Sequence, residues 1–168
     1  MYKKKILVFT RYEDLGASSR LRLLQYLKFL ENEKIDIEVS PLFSNEYLKT
    51  LYLGKPRWQF IVSGFWNRFK KIFSIKSYDL IIIEKEIFPY FPALFERLIN
   101  ILGVKYMVDY DDATFHSYDK NKNKFIRFLL RKKIDTVMRL SDLVIAGNEY
   151  LSSRAKFAGA KYIEVIPT

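Results

Sequence analysis

The sequence predicts an α/β fold: a Rossmann-like, doubly wound parallel sheet of about six strands with helices on both faces. Two observations carry this. Short runs rich in Ile, Leu and Val recur six times, and most are separated by a longer stretch with apolar residues at helical spacing. The first run, KILVFT at 5–10, is continuous rather than alternating, as in strands buried on both faces. Strands separated by helices imply right-handed crossovers and a parallel sheet. At 168 residues, 49% of them hydrophobic and 17% aromatic, the chain has enough apolar mass for one such domain over 1–168.

The elements follow in order. The first strand is 5–10 (KILVFT), and Ser18 and Ser19 offer caps for a helix carrying Leu23, Leu24, Leu27 and Leu30 through Asn32. Strands follow at 35–39, 79–84 (DLIIIE), 104–109 (VKYMVD), 142–147 (DLVIAG) and 162–166 (YIEVI). Helices are expected over 45–53, 57–75, 90–102, 122–140 and 148–158. The last strand runs into Pro167-Thr168, which reads as a cut at a domain junction.

Composition bounds the chemistry. There is no cysteine and a single histidine, His116, so disulfide scaffolds, thiolate or multi-histidine metal sites and cysteine nucleophiles are excluded. Lys+Arg number 29 against 19 Asp+Glu, a net charge of +10, which favours anionic partners. The N-terminal run 6–9 is too short for a secretory signal, and no stretch approaches the roughly 20 apolar residues of a membrane span. A cytoplasmic location is expected, with possible contact to the inner membrane face left to the basic segments below.

In open α/β sheets ligands bind beyond the carboxyl ends of the strands, where helix N-termini offer free N–H groups. In the first such turn Gly16 and Ala17 permit close approach, Ser18 and Ser19 bring hydroxyls, and Arg20 brings charge; a capped helix with solvated arginines is the plainer account. Neither G-x-G-x-x-G nor a P-loop is present. The fourth strand ends in Asp109-Tyr110-Asp111-Asp112-Ala113-Thr114-Phe115-His116, three carboxylates and the only imidazole within eight residues. Such carboxylates serve as a general base or bind hydroxyls, and otherwise form an Asx-rich turn. Glu84 and Glu86, where the third strand ends, are expected to line the same crevice as ligand contacts or to belong to an ordinary solvated loop, and Asn148 follows the fifth strand as a ligand contact or an N-cap.

Two segments concentrate the positive charge. Residues 55–76 contain Lys55, Arg57, Arg68, Lys70, Lys71 and Lys76 with no acid. Residues 120–139 contain eight cations against Asp135. In the first, Trp58, Ile61, Val62, Phe65, Trp66, Phe69, Ile72 and Phe73 fall in one helical stripe opposite Arg68, Lys70 and Lys71. A basic helix with two Trp and several Phe reads either as an interfacial membrane helix or as a helix packed on the sheet. The interfacial reading names Trp58, Phe65, Trp66, Arg68, Lys70 and Lys71 as membrane contacts.

The segments KKILVFTRYEDLGASSRLR, YDLIIIEKE, VDYDDATF and LSDLVIAGNEYLSSRAKFAGAKYIEVIPT together resemble the N-terminal half of a GT-B glycosyltransferase, family 4-like. The resemblance implies the acceptor-binding half of a two-domain, metal-independent, retaining hexosyltransferase-type enzyme of bacterial surface polysaccharide or glycolipid synthesis. It needs no cofactor, since the nucleotide-sugar donor is a co-substrate held mainly by a C-terminal partner domain. Loop 16–20 would lie near the donor phosphates and loop 109–116 beside the reacting sugar, with Asp109, Asp111 and Asp112 as catalytic candidates. Many relatives place a histidine directly after that strand, whereas here His116 comes several residues later. The E-x7-E pair of the donor domain is missing, because Glu38 and Glu46 match its spacing only on the second strand and its loop. The chain alone is therefore expected to be inactive. The expected partners are the donor domain, an acceptor sugar or lipid-linked sugar, and an anionic membrane surface. The competing account is a non-catalytic basic module for membranes or nucleic acid, although no nucleic-acid motif is present. A receiver-type signalling domain fails because its acidic pair follows the first strand.

Overall fold

Each of the six apolar runs forms a strand: β1 (Lys4–Tyr12), β2 (Ile35–Phe43), β3 (Leu80–Glu84), β4 (Tyr106–Tyr110), β5 (Leu143–Ala146) and β6 (Ile163–Val165). The computed structural model describes residues 3–30 and 34–167. The fold is α/β and Rossmann-like, with strand order β2-β1-β3-β4-β5-β6, so the chain winds both ways from β1. It divides into two compact units, Met1–Ile81 and Ile82–Thr168.

In the first unit β1 and β2 pair in parallel, Ile6 opposite Ile37 and Val8 opposite Val39. Leu7, Val8 and Phe9 are fully buried, as their continuous apolar run requires. The following helical stretch comprises α1 (Ala17–Ser19), a π-helical turn Arg20–Leu24 and α2 (Gln25–Leu30). Its expected end at Asn32 lies outside the described residues. β2 continues four residues past Val39, through Pro41, which an edge strand tolerates because no neighbour needs the missing N–H. Ser44 caps α3 (Asn45–Tyr52), its hydroxyl accepting from the Tyr47 N–H at 3.4 Å. Then α4 (Trp58–Ile72) lies on β2 with Gly64 at the closest approach. A Cβ there would fall 2.0 Å from the Leu42 carbonyl oxygen.

In the second unit β4 pairs with β5 and β5 with β6, both in parallel. The helices are α5 (Leu94–Ile101), α6 (His116–Asp119), α7 (Lys124–Leu130), α8 (Lys133–Leu140) and α9 (Glu149–Ala158). The helix expected from residue 90 begins at Leu94, after Pro92 and after Tyr90, whose φ is +59°. The single helix expected over 122–140 is two, parted at Arg131-Lys132, although Leu130, Ile134, Val137 and Met138 keep the spacing of one helical face and are all buried. Among the described residues no helix is long and apolar enough to cross a membrane.

Candidate functional site

In the second unit the carboxyl ends of β3, β4 and β5 come together. The Lys85 N–H donates to the Asp109 carbonyl at 3.0 Å, and the Gly147 N–H donates to the Tyr110 carbonyl at 2.8 Å. A Cβ on Gly147 would stand 3.2 Å from that carbonyl oxygen and 3.3 Å from the Asp111 Cα, a tight fit where the two strand ends pass.

The centre of this edge is a lysine the sequence reading did not single out. Lys85 has φ +66°, and the Glu86 N–H donates back to the Glu84 carbonyl at 2.8 Å, closing a tight three-residue turn. That turn directs Lys85 Nζ to Asp111 Oδ1 at 2.9 Å and Asp112 Oδ2 at 2.8 Å. Burial opposes the charge on Lys85, but the bonds its ammonium donates to Asp112 and Asp111 outweigh it and hold it above its ordinary pKa. Thr114 Oγ1 donates to the other Asp112 oxygen. The three expected carboxylates thus part company. Asp109 is 2% exposed. Asp111 is mostly covered, with 19% of its side chain exposed, whereas Asp112 exposes 61% of its side chain. Only Asp112 of the three offers a pinned carboxylate with much of its surface open to a hydroxyl-bearing ligand.

Glu84 and Glu86 were expected to line the crevice; both are buried. Glu86 is committed to the interior: both its oxygens accept from the Tyr118 hydroxyl, at 2.8 and 2.7 Å, and Lys133 Nζ pairs with Oε2. Lys133 also donates to the Phe88 carbonyl at 2.6 Å and lies 5.1 Å from the Tyr118 ring centroid. Glu96 Oε1 accepts from the Ile87 N–H at 3.0 Å, and its burial raises its pKa. This buried polar cluster braces loop 85–93, and Glu86 within it is a structural group. Desolvation likewise raises the pKa of Tyr110 well above the ordinary value.

His116 is tied on both sides. Nδ1 lies 2.9 Å from Asp119 Oδ1, and Nε2 lies 2.7 Å from the Tyr150 hydroxyl and 3.1 Å from Lys120 Nζ. An ammonium only donates, so Nε2 is the acceptor and Nδ1–H donates to Asp119. Held between Asp119, Tyr150 and Lys120, this imidazole is not an open base. Asn148 is an N-cap: its Oδ1 accepts from the Leu151 N–H at 3.0 Å.

In the first unit the loop after β1 is closed on itself. Ser19 is fully buried and its hydroxyl accepts from the Tyr12 N–H at 3.0 Å. Gly16 lacks a Cβ because one would meet Tyr12 at 2.3 Å. Arg20 Nη1 donates to the Asp14 carbonyl at 2.6 Å. Ala17 is exposed and Ser18 half-buried. Gly16, Ser19 and Arg20 thus have structural duties of their own.

The aromatic stripe of α4 divides. Phe65 and Ile72 turn toward β2, and Trp58, Val62, Trp66 and Phe73 stay outside at 64, 59, 59 and 78% exposure. One expected membrane contact is corrected, and two more are partly covered. Arg68 is 1% exposed, its Nη2 donating to the Thr10 and Ser40 carbonyls. Phe65 is half-buried, with its ring 6.5 Å from Phe43. Lys71 is half-buried and paired with Glu38, which raises its own pKa and lowers that of Glu38. Lys70 remains exposed.

Among the described residues no group of three or more His, Asp or Glu is placed to hold a metal ion. A scan against models of protein families and a search of curated protein sequences each return no match.

Proposed function

We propose that this chain is the acceptor-binding domain of a GT-B-type glycosyltransferase working at an anionic membrane face. The observation that supports it most is Asp112, pinned by Lys85 and Thr114 at the carboxyl edge of a parallel sheet with most of its side chain open. A carboxylate fixed in this way accepts from vicinal sugar hydroxyls without reorganising, and in a complete enzyme it would orient or deprotonate the acceptor hydroxyl. The donor nucleotide belongs mainly to a second domain. The test is titration of the chain with short oligosaccharides and with a nucleotide sugar, read by calorimetry. The reading expects oligosaccharide binding that Asp112→Asn weakens about tenfold, the worth of one charge-assisted hydrogen bond. Absence of any glycan binding, or binding indifferent to Asp112, contradicts it.

One observation favours a second reading, a basic membrane-binding module without chemistry. Three large apolar side chains of α4, and Phe73 just past its end, face outward beside exposed Lys70, a basic aromatic face of the kind that lies in a membrane interface. Membrane binding lost in Trp58→Ser with Trp66→Ser, together with no glycan binding, selects that module.

A further inference from the structure

A second basic and apolar surface lies in the other unit, on α7 and the two residues after it. Leu130 anchors this helix in the core, and Ile126 is half-buried. Its outer face exposes Phe125, Phe128 and Leu129 at 71, 78 and 54%. Against this face lies a cavity of about 300 Å³ lined by Lys124, Arg127, Phe128, Arg131 and Asp119. Lys124, Arg127 and Arg131 stand at i, i+3 and i+7, one above another on a helix face, where like charges repel. Arg127 is fixed there by its Nη1, which donates to the Asn121 carbonyl at 2.8 Å. The one carboxylate of the lining is already engaged. Asp119 Oδ1 faces His116 Nδ1 at 2.9 Å, and its Oδ2 lies 3.4 Å from Arg154. The cavity therefore gathers three cations around a carboxylate answered from its other side.

We infer that this cavity holds the phosphate of an anionic lipid headgroup while Phe125, Phe128 and Leu129 enter the interface beside it. Guanidinium and ammonium donors converging on one cavity match a phosphate monoanion or diester, and relieving their mutual repulsion favours its binding. A free phosphate accounts for the cations alone. An occupant whose acyl region removes the three neighbouring apolar side chains from water accounts for cations and apolar face together, and on that ground the site is assigned to a lipid. The site shares with the function proposed above only the membrane surface, and its residues are distinct from those of α4 and from Asp112.

The test is co-sedimentation of the chain with vesicles of phosphatidylcholine alone and of phosphatidylcholine mixed with phosphatidylglycerol, over rising salt. The expected result is binding to the mixed vesicles that falls with salt. Lys124→Gln with Arg131→Gln should weaken it roughly 25-fold, about fivefold per cation removed near an anionic surface. Phe125→Ser with Phe128→Ser should weaken it as well. All four positions are exposed, so circular dichroism should be unchanged in both variants. Loss in the charge pair with full binding in the phenylalanine pair, and displacement by inorganic phosphate, overturns the lipid assignment in favour of a bare anion site. Wild-type binding in both pairs overturns it outright. So does loss of oligonucleotide binding, rather than vesicle binding, in the charge pair. Loss in these variants with none in Trp58→Ser/Trp66→Ser supports the site and removes α4 from the membrane face.

Discussion

Single side chains carry the strain and the charge of this fold. Lys85 has an unfavourable backbone conformation, costing about 1 kcal/mol for a non-glycine residue, and is held by two carboxylates. Lys85→Met should therefore cost about 3 kcal/mol by leaving Asp111 without its cation, and Lys85→Gly about 1 kcal/mol less because glycine relieves the backbone; urea denaturation of the pair measures both. Glu96 gives a prediction with a pH sign. Burial raises its folded-state pKa above the unfolded value, so its contribution to stability is complete below about pH 4.5 and declines as pH rises through the folded pKa. Glu96→Gln keeps an acceptor for the Ile87 N–H and removes this decline. The variant should be more stable than wild type at pH 7, with the gap closing toward pH 4 in thermal melts, at about 1.4 kcal/mol for each unit of raised pKa. The carboxylate cluster after β4 was legible in the sequence as a cluster. Its division into buried Asp109, mostly covered Asp111 and open Asp112 was not, because that depends on a lysine brought in from another strand end. A signal for Lys85 existed in Glu84-Lys85-Glu86, a lone cation between acids where an apolar strand stops. Lys133 left one too, since it stands four residues before Val137 on the apolar row of α8.

At the scale of elements, all six strands were visible in the sequence: the inner ones as apolar runs, because burial on both faces writes itself continuously, and the edge strands β2 and β6 as Ile and Val interrupted by exposed acids. Helix ends were less so. The break between α7 and α8 falls at Arg131-Lys132, two good helix formers, and leaves Leu130, Ile134, Val137 and Met138 at the spacing of one continuous helix, so nothing in the apolar pattern marks it. The stripe of α4 was read at its most hydrophobic direction, which Trp and Phe dominate. The row that meets β2 is instead Gly64, Arg68 and Ile72, where small size and hydrogen bonding matter more than hydrophobicity. Gly64→Ala tests this row directly: it should cost about 2–3 kcal/mol, as an overpacked contact with a carbonyl that cannot move aside, and speed amide hydrogen exchange in α4 and β2. Trp58→Ser with Trp66→Ser on the outer row should change stability by under about 0.5 kcal/mol each while lowering affinity for anionic vesicles.

Over the whole molecule, an α/β fold with a net charge of +10 presents outward-facing aromatic residues beside lysine or arginine in both of its units, on α4 in one and α7 in the other. The same fold presents one open, pinned carboxylate at a strand edge. The proposed function joins these features by placing a glycan acceptor at that edge and giving the aromatic face of each unit, taken by itself, to contact with anionic lipid. Its most direct measurement is an amide chemical-shift map of the labelled chain with a short oligosaccharide, in wild type and in Asp112→Asn. The account predicts saturable shifts concentrated at residues 84–86 and 109–114 in wild type and lost in the variant. Shifts scattered over the basic surface, or an unchanged map in Asp112→Asn, would contradict it and leave a membrane-binding domain without acceptor chemistry.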